Sequence, residues 1–186
     1  ETILKEKTWD IVVTQNNPNS AYYKTGFYDF DNVISYIRNK QPNAEIIWFT
    51  TWALRTYNKY FGQFDTEAEM FEAIVNCVQS EVIPNEEIHS AAPVGTAIMN
   101  AKSSYLVAGD AASGDSLYRD GTHLSYDVGY YIAALSWYCH ITGQNPYDVE
   151  DTFSDIIPSD IMDVALESVD NAIRNPYEIT QSIYTG

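Results

Sequence analysis

The sequence contains few basic residues, and this limits the partners that it can bind. Of its 186 residues only 10 are Lys or Arg, whereas 26 are Asp or Glu, so the formal net charge is −16 at pH 7. Nucleic acids and anionic membrane surfaces are bound through clustered positive charge that neutralises phosphate groups. We therefore expect neither a nucleic acid nor a membrane as partner.

Cysteines, long apolar runs and cofactor motifs are also scarce or missing. Cys77 and Cys139 both fall on the apolar faces of predicted helices, so we predict buried free thiols, with a disulfide between them as the alternative. No apolar run is long enough to cross a bilayer. The sequence has no phosphate-binding loop, no Gly-x-Gly-x-x-Gly and no zinc-type ligand spacing. We expect no cofactor and no metal.

Short apolar runs alternate with helical stripes, which predicts an α/β protein with a parallel sheet. Strands are predicted at 9–14 (WDIVVT), 44–50 (AEIIWFT) and, more weakly, 87–93 (EIHSAAP). Apolar residues spaced for one face of a helix predict five helices: Phe30, Val33, Ile34 and Ile37; Met70, Phe71, Ile74, Val75 and Val78; Val94, Ala97, Ile98 and Ala101; Val128, Tyr131, Ile132, Leu135, Tyr138 and Cys139; and Ile161, Ala165, Val169, Ala172 and Ile173 within 159–174.

Polar residues and glycine mark the predicted ends of these helices. Asp65 is the predicted N-cap of the second helix, and Ser125 caps the fourth, where Asp127 complements the helix dipole and Gly143 ends the helix. No linker or repeat divides the chain, so we predict one domain over 1–186. The strand at 9–14 would leave one sheet edge open, and we expect a swapped segment, a peptide or a second chain to cover it.

Parallel sheets bind ligands at the carboxyl ends of their strands, and three polar stretches are predicted to lie there. They are TQNNPNS (14–20) after the first strand, TTWALR (50–55) after the second, and RDGTHLS (119–125) at the end of a later loop. Asp120 and His123 are the best chemical pair, because a carboxylate on one imidazole nitrogen leaves the other free to take a proton. The alternative is that Asp120 caps a turn and His123 packs under the helix.

The string Gly-Asp-Ser-Leu at 114–117 offers Ser116 as a nucleophile, but its surroundings are wrong for one. A small polar stretch precedes it instead of a strand, and too few residues follow for a helix. We predict that Ser116 is not catalytic. His89 and His140 are predicted to be structural. Aromatic residues near the strand ends could stack on sugar rings or serve as packing: Tyr22, Tyr23, Trp48, Trp52, Tyr57 and Tyr60.

Five stretches occur in the order typical of one family: WDIVVTQNN, PNAEIIWFTTWA, PVGTAIMNAK, YRDGTHLSYDVGYYIAALSWYCHITG and VDNAIRNPYEIT. Together they resemble the SGNH/GDSL hydrolase superfamily, in a little-characterised branch near the carbohydrate acetylesterases. The resemblance implies a flavodoxin-like three-layer α/β/α sandwich, ester hydrolysis, and Asp120 and His123 as catalytic acid and base. It places Gln15 and Asn16 in the oxyanion and substrate-binding region, with Asn17 and Asn19 as alternatives. Trp52, one of the aromatic residues near the strand ends, is a further candidate for binding substrate.

In that family a strand and Gly-(Asp/Asn)-Ser come well before the stretch that WDIVV resembles, whereas only ETILKEKT precedes it here. We therefore expect an N-terminally incomplete domain whose serine and first strands lie elsewhere, and which is inactive alone. The expected protein is an exported, periplasmic or extracellular esterase acting on acyl groups such as O-acetyl esters of glycans. The alternative is a non-catalytic glycan- or protein-binding module, and a metal-dependent hydrolase built on His123 and Asp120 ranks third.

Overall fold

Three parallel strands form the centre of the structure, a computed structural model that describes residues 3–107, 117–150 and 157–185. The strands are β1 (Ile11–Thr14), β2 (Glu45–Phe49) and β3 (Ile88–Ala92). They are arranged in the order β1-β2-β3, and both neighbouring pairs are parallel. Each lies within a segment predicted from its short apolar run, so the predicted α/β class with a parallel sheet is confirmed.

Helices flank the sheet, and five of them match the predicted stripes. The helices of the described residues are α1 (Ile3–Glu6), α2 (Phe30–Lys40), α3 (Glu67–Cys77), α4 (Val94–Lys102), α5 (Val128–Thr142) and α6 (Ser159–Arg174). Helix α3 continues through a π-helical turn at Val78–Val82, and short 3₁₀ turns occur at Lys24–Phe27, Tyr105–Val107 and Pro146–Asp148. Within these described stretches, no helix has the length and apolarity needed to cross a bilayer.

The two faces of β2 pack against different helices, which produces three layers. Ile46 and Trp48 belong to a buried cluster with α2 and the end of α3. Ile47 belongs to another cluster, to which Phe49 and residues of α5 contribute. Because successive side chains of a strand point to opposite faces, helices cover both sides of the sheet. This layout agrees with a flavodoxin-like sandwich.

Strand β1 is an edge strand. Among the described residues it pairs only with β2, from Ile11 opposite Glu45 to Thr14 opposite Trp48. The apolar side chain of Val13 is 47% exposed on the face that carries Ile47. Within residues 3–107, 117–150 and 157–185, no strand therefore lies on the outer side of β1, a position at which a further strand could add.

The N-caps of two helices, α3 and α5, differ from the predicted ones. Thr66, and not Asp65, caps α3: its hydroxyl accepts a hydrogen bond from the Glu69 N–H at 3.2 Å. The Glu69 carboxylate accepts one from the Asp65 N–H at 2.9 Å. The prediction for Asp65 is wrong by one residue: Thr66 supplies the capping hydroxyl, and the Glu69 carboxylate binds the N–H of the residue before the cap.

The C-terminal end of α5 is as predicted, whereas at its start Asp127, and not Ser125, is the N-cap. Ser125 Oγ accepts a hydrogen bond from the Gly129 N–H at 2.9 Å, and the Asp127 carboxylate accepts one from the Val128 N–H at 2.8 Å. Gly143 ends the helix with φ +71°, a conformation that glycine adopts without a steric cost.

Three residues that the stripes place inward are instead exposed: Val33, Tyr138 and Ile173. Val33 lines an open cleft, and Tyr138 turns its hydroxyl toward Gln144 at 3.1 Å. The two cysteines are buried and free, as predicted.

Candidate active site

The Asp120–His123 pair lies at the tip of a tight hairpin formed by residues 117–125. Tyr118 and Leu124 form an antiparallel bridge. Two backbone hydrogen bonds extend it, from the Arg119 N–H to the His123 carbonyl at 3.0 Å and from the Ser125 N–H to the Leu117 carbonyl at 2.8 Å. Tyr118 and Leu124 are fully buried. Because side chains alternate along such a ladder, Arg119 and His123 point outward.

Asp120 holds His123 through both the backbone and the ring. The Nδ1 atom of His123 lies 2.9 Å from Asp120 Oδ2 and 3.1 Å from Oδ1. Asp120 Oδ1 also accepts the backbone N–H groups of Thr122 at 2.8 Å and His123 at 2.7 Å. Asp120 therefore caps the turn and also orients the imidazole. The alternative that His123 packs under a helix does not hold, since its side chain is 59% exposed.

These contacts determine the charge of Asp120 and the tautomer of a neutral His123. Partial burial raises the pKa of the Asp120 carboxyl, but the hydrogen bonds from His123 and from the Thr122 N–H outweigh it and lower the pKa from 3.8 to about 2. Asp120 is therefore ionised at neutral pH and can only accept hydrogen bonds. The proton of a neutral His123 must then lie on Nδ1, which leaves a lone pair on Nε2 for base chemistry.

The loop after β2 fixes the position of this turn. The indole N–H of Trp52 donates to the Thr122 carbonyl at 2.8 Å, and the backbone N–H of Arg55 donates to the Gly121 carbonyl at 3.0 Å. The Asn58 amide donates to the Gly121 carbonyl at 3.1 Å and to the Thr122 hydroxyl at 2.7 Å. Trp52, predicted to contact substrate, thus positions the turn. Asn58 does so too, three residues beyond the stretch that the sequence singled out.

A buried ionic cluster lies beneath the same loop. Glu67 contacts Lys102 and lies 3.4 Å from Arg55 Nη1, and its other oxygen accepts the Thr56 N–H at 3.0 Å. The side chains of Glu67, Lys102 and Arg55 are only 7–11% exposed. Both cations lie 5.3 Å from the ring centroid of Tyr118. The cluster therefore connects the first turn of α3 and the loop after β2 with the hairpin. These segments are far apart in the sequence, so no local pattern predicts the contact.

The second ring nitrogen of His123 has no hydrogen-bond partner among the residues that the structure describes, so no hydroxyl from residues 3–107, 117–150 or 157–185 fills the place of a nucleophile. Ser116 lies outside the described residues, as do Gly114 and Asp115. The prediction that Ser116 is not catalytic therefore stays a prediction.

The two predicted amides after β1 differ in their availability. Asn16 is committed to its own loop: its Nδ2 donates to the Gly26 carbonyl at 3.0 Å, and its Oδ1 accepts from Asn17 N and Ser20 Oγ. Gln15 is exposed and lines, with Asn16, Tyr28 and other residues, a cleft of about 130 Å³ at the end of β1. Neither the Gln15 nor the Asn16 side chain forms a hydrogen bond with Asp120 or His123, all four of which the structure describes. The two alternatives bind each other: Asn19 gives its N–H to Asn17 Oδ1 at 2.9 Å.

The other histidines do not form a comparable site. His89 lies in β3, as predicted, with its ring 3.6 Å from a Glu45 oxygen. His140 Nε2 lies 2.9 Å from Ser90 Oγ, between α5 and the middle of β3. Burial, and secondarily His89, lowers the pKa of His140. Within the three described stretches, no group of three His, Cys, Asp or Glu side chains could hold a metal ion.

Fold and site together define an α/β protein with helices on both faces of a parallel sheet and a hydrogen-bonded Asp–His pair beside the β2 carboxyl end. Residues 1–165 match the family described as Domain of unknown function (DUF4886), and the chain belongs to this family. It is similar to a solved DUF4886 family protein from Bacteroides uniformis, with TM-score 0.86 and 25% sequence identity over 100% of this chain and 70% of that one. A comparison with curated proteins found no match.

Proposed function

We propose that this chain supplies the acid–base pair of a serine esterase of the SGNH/GDSL type. One observation carries the proposal: the ionised Asp120 holds Nδ1 of a half-exposed His123, so that Nε2 is available as a base. The pair lies beside the carboxyl end of β2, the edge at which parallel α/β sheets bind ligands. The resemblance of the RDGTHLS stretch to the last block of that superfamily supports the same assignment.

The proposed reaction has two halves that use the same base. His123 Nε2 takes the proton of a serine hydroxyl as its oxygen attacks the ester carbonyl, and then gives that proton to the departing alcohol as the ester C–O bond breaks. Water then attacks the acyl-serine, and His123 repeats both transfers. Asp120 keeps the ring oriented and stabilises the imidazolium. Gln15 is the better candidate for an oxyanion donor, since the Asn16 amide is already used.

We further propose that the serine is carried by a strand-and-turn segment that pairs with the open edge of β1. Support comes from the outer side of β1, which pairs with no other strand in the described part of the chain, and from apolar groups on the adjoining α5 face. Val13 is 47% and Ile141 48% exposed, and Trp137 packs on Phe49 while remaining half-buried. The acyl group is proposed to be small, such as acetyl, and the alcohol to be part of a glycan.

A fluorophosphonate probe, which reacts with activated serines, tests this proposal together with p-nitrophenyl acetate turnover. We expect the 186-residue chain alone to hydrolyse the ester poorly, because losing a triad serine costs on the order of 10⁶-fold in rate. The product of the whole reading frame should be labelled on a serine that follows a strand, and H123A should abolish both labelling and turnover.

The matched control is H140A, which removes a half-buried histidine outside the hairpin and its hydrogen bond to Ser90. It should leave labelling intact. Labelling of Ser116 in the 186-residue chain, with turnover that S116A abolishes, would contradict the placement of the nucleophile. Equal labelling of H123A and the unmodified protein would contradict the role of His123.

A second function is a glycan-binding module without catalysis. It is favoured by exposed tyrosines on either side of the hairpin: Tyr57, whose ring lies against Gly121, and Tyr126 and Tyr130 at the start of α5. Exposed aromatic rings of this kind stack on sugars. Glycan binding by a full-length protein that never reacts with the fluorophosphonate would favour this function over the esterase.

A further inference from the structure

Arg119 is the one residue of the hairpin that presents a positive charge beside His123. Its Nη1 donates to the Leu124 carbonyl at 3.2 Å and to the Tyr130 hydroxyl at 3.0 Å. Its guanidinium carbon lies 4.2 Å from the ring centroid of Tyr126. These contacts hold the guanidinium plane in one orientation.

Two nitrogen atoms of this guanidinium, Nε and Nη2, remain available as hydrogen-bond donors within the described part of the chain. Among the described residues, no hydrogen bond uses Nε or Nη2 of Arg119, and no carboxylate forms an ion pair with it. The nearest carboxylate in sequence, Asp120, is already bound by the ring and backbone of His123. An oriented guanidinium with free donors matches the two oxygens of a carboxylate.

The surroundings of Arg119 are aromatic and exposed. Tyr126 is 75% and Tyr130 46% exposed, and their rings meet edge to face at 5.6 Å. An aromatic surface next to a cation fits a sugar ring that bears a carboxylate, because the ring packs on tyrosine while the acid binds the guanidinium. Arg119 and His123 emerge from opposite strands of the same hairpin on its outward face.

We propose that Arg119, with Tyr126 and Tyr130, binds the carboxylate of a uronic acid residue next to the ester that His123 acts on. The substrate class is then an O-acylated acidic glycan. This inference deepens the proposed esterase function and rests on it for the identity of the ester. Binding of the acid itself needs no serine and is tested without any reaction.

The protein's overall charge makes the test sharp. At net −16 the chain repels polyanions in general, so a preference for an acidic sugar requires a local cation. Titration calorimetry at low ionic strength would compare tetragalacturonic acid with its fully methyl-esterified form, which keeps the rings and removes the charge. We expect the acid to bind about tenfold more tightly, the usual effect of one charged hydrogen-bonded contact.

Two variants isolate Arg119. R119M should reverse the preference, because the remaining surface repels the acid more than the ester. R119K keeps the charge but loses the planar fork, so it should retain only part of the preference. R174M is the matched control: Arg174 is an exposed arginine on α6, paired with Asp170 at 3.1 Å, and its loss should leave the preference unchanged.

Equal binding of both probes by the unmodified protein, or no binding of either, would overturn the inference. So would an undiminished preference in R119M that thermal unfolding shows to be folded. Should R119M not fold, the comparison of the two probes on the unmodified protein and on R119K decides. A preference for the acid without any serine labelling would leave the acid site standing and remove the esterase. Serine labelling without a preference for the acid would leave the esterase standing and remove the acid site.

Discussion

The ionisation of Asp120 gives the most direct test of the proposed pair. The folded protein holds the pKa of this carboxyl at about 2, against 3.8 for the free group. A lowered pKa in the folded state means that the interaction stabilises the protein above pH 3.8 and is lost as the pH falls toward 2. The difference of about 1.8 units corresponds to at most ~2.4 kcal/mol. Since the side chain is 49% exposed and screened by solvent, we expect about 1 kcal/mol.

Two measurements follow from this value. The carboxyl carbon signal of Asp120, followed by NMR from pH 6 downward, should titrate well below that of an ordinary aspartate. In urea unfolding, D120N should be about 1 kcal/mol less stable than the unmodified protein at pH 6, and the gap should close as the pH nears 2. D10N, which removes a carboxyl far from the hairpin in sequence, should leave the Asp120 signal in place. An Asp120 signal that titrates at pH 3.8 or above would refute the reasoning.

Two further substitutions test the support beneath the hairpin. E67Q removes the buried carboxylate that contacts Lys102 and Arg55, and it should lower the free energy of unfolding in urea by about 3–5 kcal/mol. The amide NMR signals of residues 119–124 should also shift. Unchanged signals would show that the cluster does not hold the turn. G95A places a Cβ 2.1 Å from the Thr51 carbonyl oxygen, so it should lower the free energy of unfolding by about 3 kcal/mol. The control N43A, on the surface, should lower it by less than about 0.5 kcal/mol. Equal effects of the two substitutions would contradict the packing at Gly95.

The parts of the fold that depend on local periodicity could be predicted from the sequence. Strand β2 reads as a short apolar run because helices cover both its faces, and α6 begins at Ser159 and ends at Arg174 as its stripe predicts. Where two polar residues compete for a cap, as Asp65 and Thr66 do, composition alone did not decide. In the structure the Thr66 hydroxyl binds the Glu69 N–H, while the Glu69 carboxylate binds the Asp65 N–H.

The Asp–His pair was predictable for the same reason: its two residues are three positions apart, and a tight turn brings them together. The residues that hold the turn were not. Asn58 lies 63 positions from Gly121 along the chain, and Glu67 belongs to a helix that no local pattern connects with the hairpin. Arg119 could not be predicted as a binding residue, because its orientation depends on contacts with Tyr126 and Tyr130.

This division between local and distant contacts also bears on how a nucleophile could join the site. The orientation of His123 depends on Asp120, and the turn that carries both depends on Trp52, Arg55 and Asn58. None of these contacts involves a serine, so the ring of His123 is oriented without one. A segment that adds to the open edge of β1 would then meet a preformed acid–base pair, and only the serine itself would have to be positioned. Under the proposed function, catalysis would therefore depend on how that segment docks, while the geometry between Asp120 and His123 would stay the same with and without it.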